Sequence, residues 1–221
     1  MRTALRHLST ALIVAGALLV IDAALTLVWQ EPTSAIYARI HQDQLAGRLD
    51  ALDNRPLLLA SQQRALRRLP SDRQVPFLAR ALRRRLKAGD PLGRIRIPRI
   101  DASYVVVEGT DTESLRKGPG HYPETSLPGL PGTTAIAGHR TTYLAPFRHV
   151  DELRRGDPIQ LDLPYARFTY RVQYTKIVPA DAVRVTRSVG YPRLVLSACH
   201  PLYSASHRII VFARLVRTVP R

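Results

Sequence analysis

Sulfur, lysine and aromatic side chains are scarce in this 221-residue chain. It holds one cysteine, one methionine, one tryptophan and three lysines, and aromatic residues make up 6% of it. A lone cysteine cannot form an internal disulfide, so the fold does not depend on one. The sequence also lacks an HExxH or CxxC spacing, a phosphate loop and a dinucleotide fingerprint. We therefore expect no metal site and no cofactor.

Negative charge is also sparse, since 33 basic residues stand against 17 acidic ones and give a net charge of +16. The excess is spread out, with 19 basic and 10 acidic side chains from residue 91 onward and 12 and 6 in residues 31–90. No basic run is interleaved with aromatic residues, so we expect no nucleic-acid partner. A dispersed positive charge favours an anionic membrane surface or an anionic substrate.

Only one hydrophobic run is long, and it covers residues 8–29. As a helix it would span roughly 33 Å, enough for a bilayer core. Arg2 and Arg6 precede it, which predicts a cytoplasmic N-terminus and an extracellular remainder. We predict a single-pass cell-membrane anchor in residues 1–30. The alternative is a cleaved signal peptide, although no clear small-x-small cleavage site follows the run. Asp22 within the run is costly in lipid.

Residues 31–90 are polar and have apolar positions at helical spacing, so they predict a series of short helices. Pro56, Pro70 and Pro76 are expected to break this series. We predict a solvated helical stalk that lifts the following domain off the membrane. The alternative is that its basic face lies on anionic headgroups.

Residues 91–221 change character and predict a mainly β domain. Short β-rich runs separated by turn residues cover 93–97, 104–108, 133–138, 158–163, 168–178, 193–198 and 207–216. Such a series with few helices indicates a β-barrel or a sandwich. Short helical pieces are predicted at 112–117 and 147–154, and the Pro/Gly-rich residues 118–132 predict a rigid loop.

Cys199 ends an apolar strand and is followed by His200 and Pro201. Proline cannot continue a strand ladder, so Cys199 is predicted at a strand end. Position alone does not separate a reactive thiol from a small buried core residue. A thiol nucleophile needs activation. His200 is a poor partner, because successive strand side chains point to opposite faces.

Two further residues are candidate partners of this thiol. His139 ends another predicted strand, and two strand ends can meet at one rim of a barrel. Arg208 begins the last strand, and a hairpin would return it beside Cys199. A guanidinium there suits an anionic tetrahedral intermediate.

Three motifs in this order resemble the sortases, most closely class E of actinobacteria. They are Gly138-His139-Arg140, the strand 194–199 with His200-Pro201, and the strand that starts at Arg208. The resemblance implies that Cys199 is the nucleophile, His139 a general acid and base, and Arg208 the residue that stabilises the oxyanion. It also implies a closed eight-stranded β-barrel, a membrane anchor and no cofactor.

The implied activity is cysteine transpeptidation. The substrates would be secreted proteins with a C-terminal Leu-Ala/Pro-x-Thr-Gly-like sorting signal, and the acceptor a cell-wall amine on a lipid-linked peptidoglycan precursor. Ala198 departs from the family, which usually has threonine there, and the lost hydroxyl is expected to affect substrate contacts or strand hydrogen bonding. Two alternatives stay open: a cysteine acyltransferase of the L,D-transpeptidase type acting on peptidoglycan stems, and a non-catalytic barrel that binds sorting signals.

Overall fold

The computed structural model describes residues 2–28, 32–53 and 57–221 of the chain. Helix α1 runs over Arg2–Val28. Within it, and alone among the described residues, Leu5–Ala24 is long and apolar enough to cross a membrane, a test that a signal sequence also passes. The predicted apolar helix at the N-terminus is therefore confirmed, while its role as a membrane anchor stays a prediction.

Three more helices precede the β domain, and two of them pack against it. They are α2 (Pro32–Asp53), α3 (Ala60–Arg67) and α4 (Ser71–Arg83). On α2, Leu45 and Leu49 are buried against Val105 and Val107 of the β domain. On α4, the buried residues lie three or four positions apart and join the main core: Val75, Ala79 and Leu82. The barrel therefore covers apolar side chains of α2 and α4, which contradicts a fully solvated stalk, whereas α3 has no buried residue.

The predicted proline breaks have three different outcomes. Pro70 separates α3 from α4 as its N-terminal neighbour. Pro76 lies inside α4, and the helix continues through it. Pro56 falls outside the described residues.

Eight strands, all within the described residues 57–221, close into one barrel. They are β1 (Pro91–Ile97), β2 (Ala102–Glu108), β3 (Gly120–His121), β4 (Thr133–Ala137), β5 (Pro158–Leu163), β6 (Ala166–Pro179), β7 (Arg193–His200) and β8 (His207–Pro220). Around the barrel their order is β1-β2-β3-β4-β7-β8-β6-β5. The pairs β2·β3 and β4·β7 are parallel, and the other neighbours are antiparallel. The predicted closed eight-stranded barrel is confirmed.

All seven predicted strands are present, but β3 was not predicted. It has two residues inside the Pro/Gly-rich loop, where no alternation of apolar and polar side chains marks it. Helix α5 occupies Thr112–Lys117 as predicted, and the side chain of Asp111 caps it by accepting from the Ser114 N–H. The second predicted helix is reduced to a 3-10 turn at Val150–Glu152. Phe147, Val150 and Leu153 are buried at a spacing of three, which suits three residues per turn.

The two faces of β7 decide which of its side chains can reach a substrate. Leu194, Leu196 and Ala198 belong to the main core, whereas Val195 joins a second cluster on the other face with Ile210. Strand alternation places Cys199 on the face of Val195. Ala198 is 3% exposed and packs in the core. The Ala198 side chain therefore points away from the face of Cys199, and the effect of the missing hydroxyl on substrate contacts or strand hydrogen bonding stays a prediction.

Candidate active site

Cys199 and Arg208 are direct neighbours on the paired strands β7 and β8. They are opposite one another in the antiparallel register, as the hairpin hypothesis predicted. Side chains at opposite positions of a strand pair lie on the same face. Cys199 is half-buried and β7 ends one residue later, before Pro201. The two residues therefore share a face at a strand end, where the Arg208 guanidinium donates to the Ala205 and His207 carbonyls at 2.9 and 3.0 Å.

His139 comes to the same end of the barrel from the other side of β7. Strand β4 pairs with β7 in parallel, and the Gly138 N–H donates to the Ser197 carbonyl at 3.0 Å just beyond the last paired residues. The carboxyl ends of parallel strands lie at the same edge of a sheet. His139 and Cys199 therefore lie on neighbouring chain segments at the same end of the barrel. No hydrogen bond joins the side chains of His139, Cys199 and Arg208 in the part of the chain that the structure describes.

Gly138 is required at this edge by the packing beneath it. A Cβ at position 138 would lie 2.5 Å from Cδ2 of Phe147, which is a fully buried ring. The Phe147 N–H in turn donates to the His139 carbonyl at 3.0 Å. Residues 139–147 therefore form a loop whose two ends, His139 and Phe147, are joined by a backbone hydrogen bond.

The His139 imidazole is half-buried, and burial lowers its pKa below the ordinary value because the charged form is desolvated. Its ring lies against the ring of Tyr143, with the centroids 5.3 Å apart and the planes tilted by 39°. The imidazole is therefore largely neutral at pH 7, and an aromatic neighbour limits its orientation.

Two recesses open on this face, and the thiol and the guanidinium line different ones. Cys199 lines a recess of about 320 Å³ together with Arg140, Thr141, Thr142, Tyr203, Ser204 and Ala205. Arg208 lines one of about 270 Å³ whose other walls include Glu124, Val178, Val183, Ser197 and Ile210. Because Cys199 and Arg208 are strand neighbours, a ligand laid across β7 and β8 can enter both recesses.

Comparison with known proteins identifies the family. The sortase domain family model matches residues 95–216, which is more than half of the chain. The chain belongs to the sortase family. It is 37% identical over 134 residues to sortase D of Bacillus subtilis, a match that covers 59% of this chain and 66% of that relative. It is 28% identical over 151 residues to sortase SrtE1 of Streptomyces coelicolor, covering 60% of this chain and 42% of that relative.

Solved structures agree with this assignment. Sortase E from Streptomyces avermitilis is 38% identical with a TM-score of 0.56, and the match covers 61% of this chain and 93% of that one. The predicted resemblance to class E sortases is confirmed. The matched part of this sortase carries all three predicted site residues, while α1, α2, α3 and α4 lie before residue 95.

Sequence reasoning assigned no role to Arg140 of this sortase, although it stands in the Gly138-His139-Arg140 motif. Its side chain is 2% exposed and pairs with Asp151 at 2.7 Å. It also donates to the Arg148 carbonyl, and its Nη1 lies 3.4 Å from the Cys199 carbonyl oxygen. A buried guanidinium needs such partners. Arg140 therefore ties the histidine loop to the cysteine strand, and no sequence signal separates it from the other 29 arginines.

The histidine loop of the sortase also contains a strained turn. Tyr143, Leu144 and Ala145 have φ angles of 50°, 63° and 41°, in the left-handed region. For residues with a Cβ this conformation costs roughly 1–2 kcal/mol each. Such strain persists only where surrounding contacts over-determine the backbone.

No group of three or more His, Cys, Asp or Glu side chains could hold a metal ion among the described residues.

Proposed function

We propose that this sortase is a membrane-anchored cysteine transpeptidase. It cleaves a C-terminal sorting signal of the Leu-Ala/Pro-x-Thr-Gly type in secreted proteins and joins them to a cell-wall amine. The observation that carries the proposal is the opposition of Cys199 and Arg208 across β7 and β8, beside His139 at the end of β4.

The reaction uses each of these groups in turn. The Cys199 thiol gives its proton to the neutral His139 imidazole, and the resulting thiolate attacks the carbonyl carbon of the Thr–Gly bond. The Arg208 guanidinium donates hydrogen bonds to the oxyanion. The His139 imidazolium protonates the leaving glycine amine, so the peptide bond breaks and a thioester forms. An incoming amine then gives its proton to His139, attacks the thioester and releases the thiolate.

The two recesses suit a substrate that crosses the thiol. Val178, Val183 and Ile210 give the Arg208 recess an apolar wall, which fits the leucine end of a sorting signal. The structure of sortase E1 from Streptomyces coelicolor, a 28% identical relative with a TM-score of 0.57, holds a tripeptide in its active site. That complex supports a peptide substrate for this chain as well.

Helix α1 supplies the anchor in this proposal. Its N-terminus is cytoplasmic and the barrel extracellular, where the acceptor is an amine of a lipid-linked peptidoglycan precursor. Holding the enzyme and both membrane-bound substrates in one layer raises their effective concentration. The net charge of +16 adds attraction to anionic lipids.

The test is turnover of fluorogenic peptides containing Leu-Ala-Ala-Thr-Gly or Leu-Pro-Ala-Thr-Gly by the full chain in detergent, with triglycine as the amine. We expect a Cys199-linked thioester by mass spectrometry and no turnover by Cys199→Ala. Arg208→Ala should lose about 100- to 1000-fold in kcat, the usual cost of an oxyanion donor. The matched control is Arg217→Ala, an exposed arginine at the far end of the same strand, which should keep its activity.

The alternatives give different results in the same assay. Cys199-dependent turnover of a muropeptide stem, with none of the sorting peptides, would identify an L,D-transpeptidase-like acyltransferase. Peptide binding without any thioester would identify a binding barrel.

A further inference from the structure

Helix α2 lies outside the matched sortase domain, yet it packs on the histidine end of the barrel. Ser34 and Ala38 on its inner face are buried. Further along, the Gln42 side chain accepts from the Val105 N–H at 2.7 Å and donates to the Val105 and Lys117 carbonyls at 3.0 and 2.7 Å. The helix is therefore fixed in position and angle relative to β2.

The same helix supports the strained turn that follows His139. Within the histidine loop, the Ala145 N–H donates to the Thr142 carbonyl and the Arg148 N–H to the Ala145 carbonyl, and the Tyr104 hydroxyl donates to the Leu144 carbonyl. A further bond runs from the Tyr143 N–H to the Ser34 Oγ at 3.3 Å. The bond to Ser34 is the contribution of α2 to holding the turn in its left-handed conformation.

Aromatic rings continue this contact to the histidine. The Tyr37 ring of α2 meets the Tyr143 ring edge-to-face, with the centroids 6.2 Å apart and an angle of 73°. The His139 imidazole is another ring neighbour of Tyr143, with the centroids 5.3 Å apart. The Arg116 guanidinium lies 6.0 Å from the Tyr143 centroid and confines that ring further. Tyr143 is thus held between α2, α5 and the imidazole.

We propose that Ser34 and Tyr37 of α2 are positioning residues for His139 and act through Tyr143. They keep the turn at Tyr143–Ala145 in its strained form, so that the tyrosine ring fixes the imidazole at the edge of β7 and shields it from water. The role of His139 in transpeptidation rests on the proposed function, but its position and hydration do not.

Burial, not a neighbouring charge, accounts for the lowered pKa of His139. Ionisable side chains on the elements around it include Tyr37 and His41 of α2, Arg116 of α5, Arg140 and Tyr143 of its own loop, Cys199 of β7 and Arg208 of β8. Loosening α2 should therefore act on His139 mainly by admitting water.

The experiment uses the full chain in detergent micelles and the variants Tyr37→Ala, Ser34→Ala and Tyr37→Phe. The matched control is Ile40→Ala, which removes a 53% exposed side chain from the outer face of the same helix. The first readout is the pKa of His139 by NMR titration, assigned with His139→Gln. The second is kcat and KM with the Leu-Pro-Ala-Thr-Gly peptide and triglycine.

We expect Tyr37→Ala and Ser34→Ala to raise the pKa of His139 towards its ordinary value and to lower kcat about tenfold with KM nearly unchanged, because the imidazole is misplaced rather than lost. Tyr37→Phe keeps the ring and should retain most of the turnover. In a double-mutant cycle, Tyr37→Ala should add nothing once Tyr143→Ala has removed the intermediary ring.

The proposal is overturned if the pKa of His139 in Tyr37→Ala and Ser34→Ala equals that of the unmodified chain. It is also overturned if Ile40→Ala causes the same shift, or if the effects of Tyr37→Ala and Tyr143→Ala are additive. Absence of peptide turnover by the unmodified chain would contradict the proposed function instead, and the His139 titration would still decide the role of α2.

Discussion

His139 connects the chemistry of the site to the acid stability of the fold. Its pKa in the folded protein is lowered by burial, so between that value and the ordinary one near 6.5 the unfolded chain binds the proton more readily. The contribution of this residue to stability is therefore complete above about pH 6.5 and is lost as the pH falls through the lowered value.

We expect the urea concentration at the unfolding midpoint of the full chain to decrease when the pH is lowered from 7.5 to 5. The decrease should be smaller in His139→Gln, because glutamine has no proton to bind. The exposed His207 provides the comparison, since His207→Gln removes an imidazole outside the buried site. Equal pH dependence in the unmodified chain and in His139→Gln would refute this assignment.

Gly138 is a second single-residue determinant, because an added methyl group would collide with the buried Phe147 ring. Gly138→Ala should lower the free energy of unfolding by about 1–3 kcal/mol, the usual cost of overpacking. At Gly190, an added Cβ would have no atom within 4 Å. Gly190→Ala should therefore change the free energy of unfolding by less than about 0.5 kcal/mol. Chemical denaturation measures the stability of both variants. Equal stability would show that residues 139–147 move to accommodate the added methyl group, and would contradict this prediction.

At the scale of elements, α2 completes a gap in the sheet. Strand β2 pairs with β3 only at Val107 and Glu108, and the Gln42 amide satisfies both backbone groups of Val105 in the manner of a neighbouring strand. Val105 is 1% exposed, so water cannot replace that amide. The Gln42 side chain therefore fixes the docking of the helix together with the buried Leu45 and Leu49.

Gln42→Ala should cost about 1–3 kcal/mol of unfolding free energy, because it leaves a buried N–H and carbonyl unsatisfied. Gln44→Ala, on the exposed face of the same helix, serves as the control. The measurement is urea unfolding followed by circular dichroism. A Gln42→Ala chain as stable as Gln44→Ala would mean that α2 is not docked through this amide.

The elements differ in how far sequence alone predicts them. Strands such as β7 and β8 have apolar runs bounded by turn residues, and the motifs at their ends mark Cys199 and Arg208. Strand β3 is defined by tertiary pairing, because Gly120 and His121 pair with β2 on one side and β4 on the other. The turn at Tyr143 has no glycine or asparagine to signal a positive φ. Docking of α2 is also invisible, because its apolar stripe looks the same on any partly solvated helix.

At the scale of the whole molecule, the first question is whether α1 stays in the membrane. We expect the full chain to remain in the membrane pellet after alkaline carbonate extraction, with an intact mass that includes residues 1–28. Deletion of residues 2–28 should move the protein to the soluble fraction. Recovery of a mature chain that begins after residue 28 would show instead that the segment is a cleaved signal peptide.

Docking of α2 also limits the volume that the catalytic end can explore. Had residues 31–90 formed a flexible coil, their root-mean-square reach would be roughly 45 Å. With α2 fixed to the barrel, three residues separate it from Val28, and even fully extended they span at most about 14 Å. If α1 spans the membrane as proposed, the accessible volume shrinks roughly thirtyfold by the cube of these lengths. The enzyme would then select substrates by their height above the bilayer, and a sorting signal displaced outward by a longer spacer would pass beyond its reach.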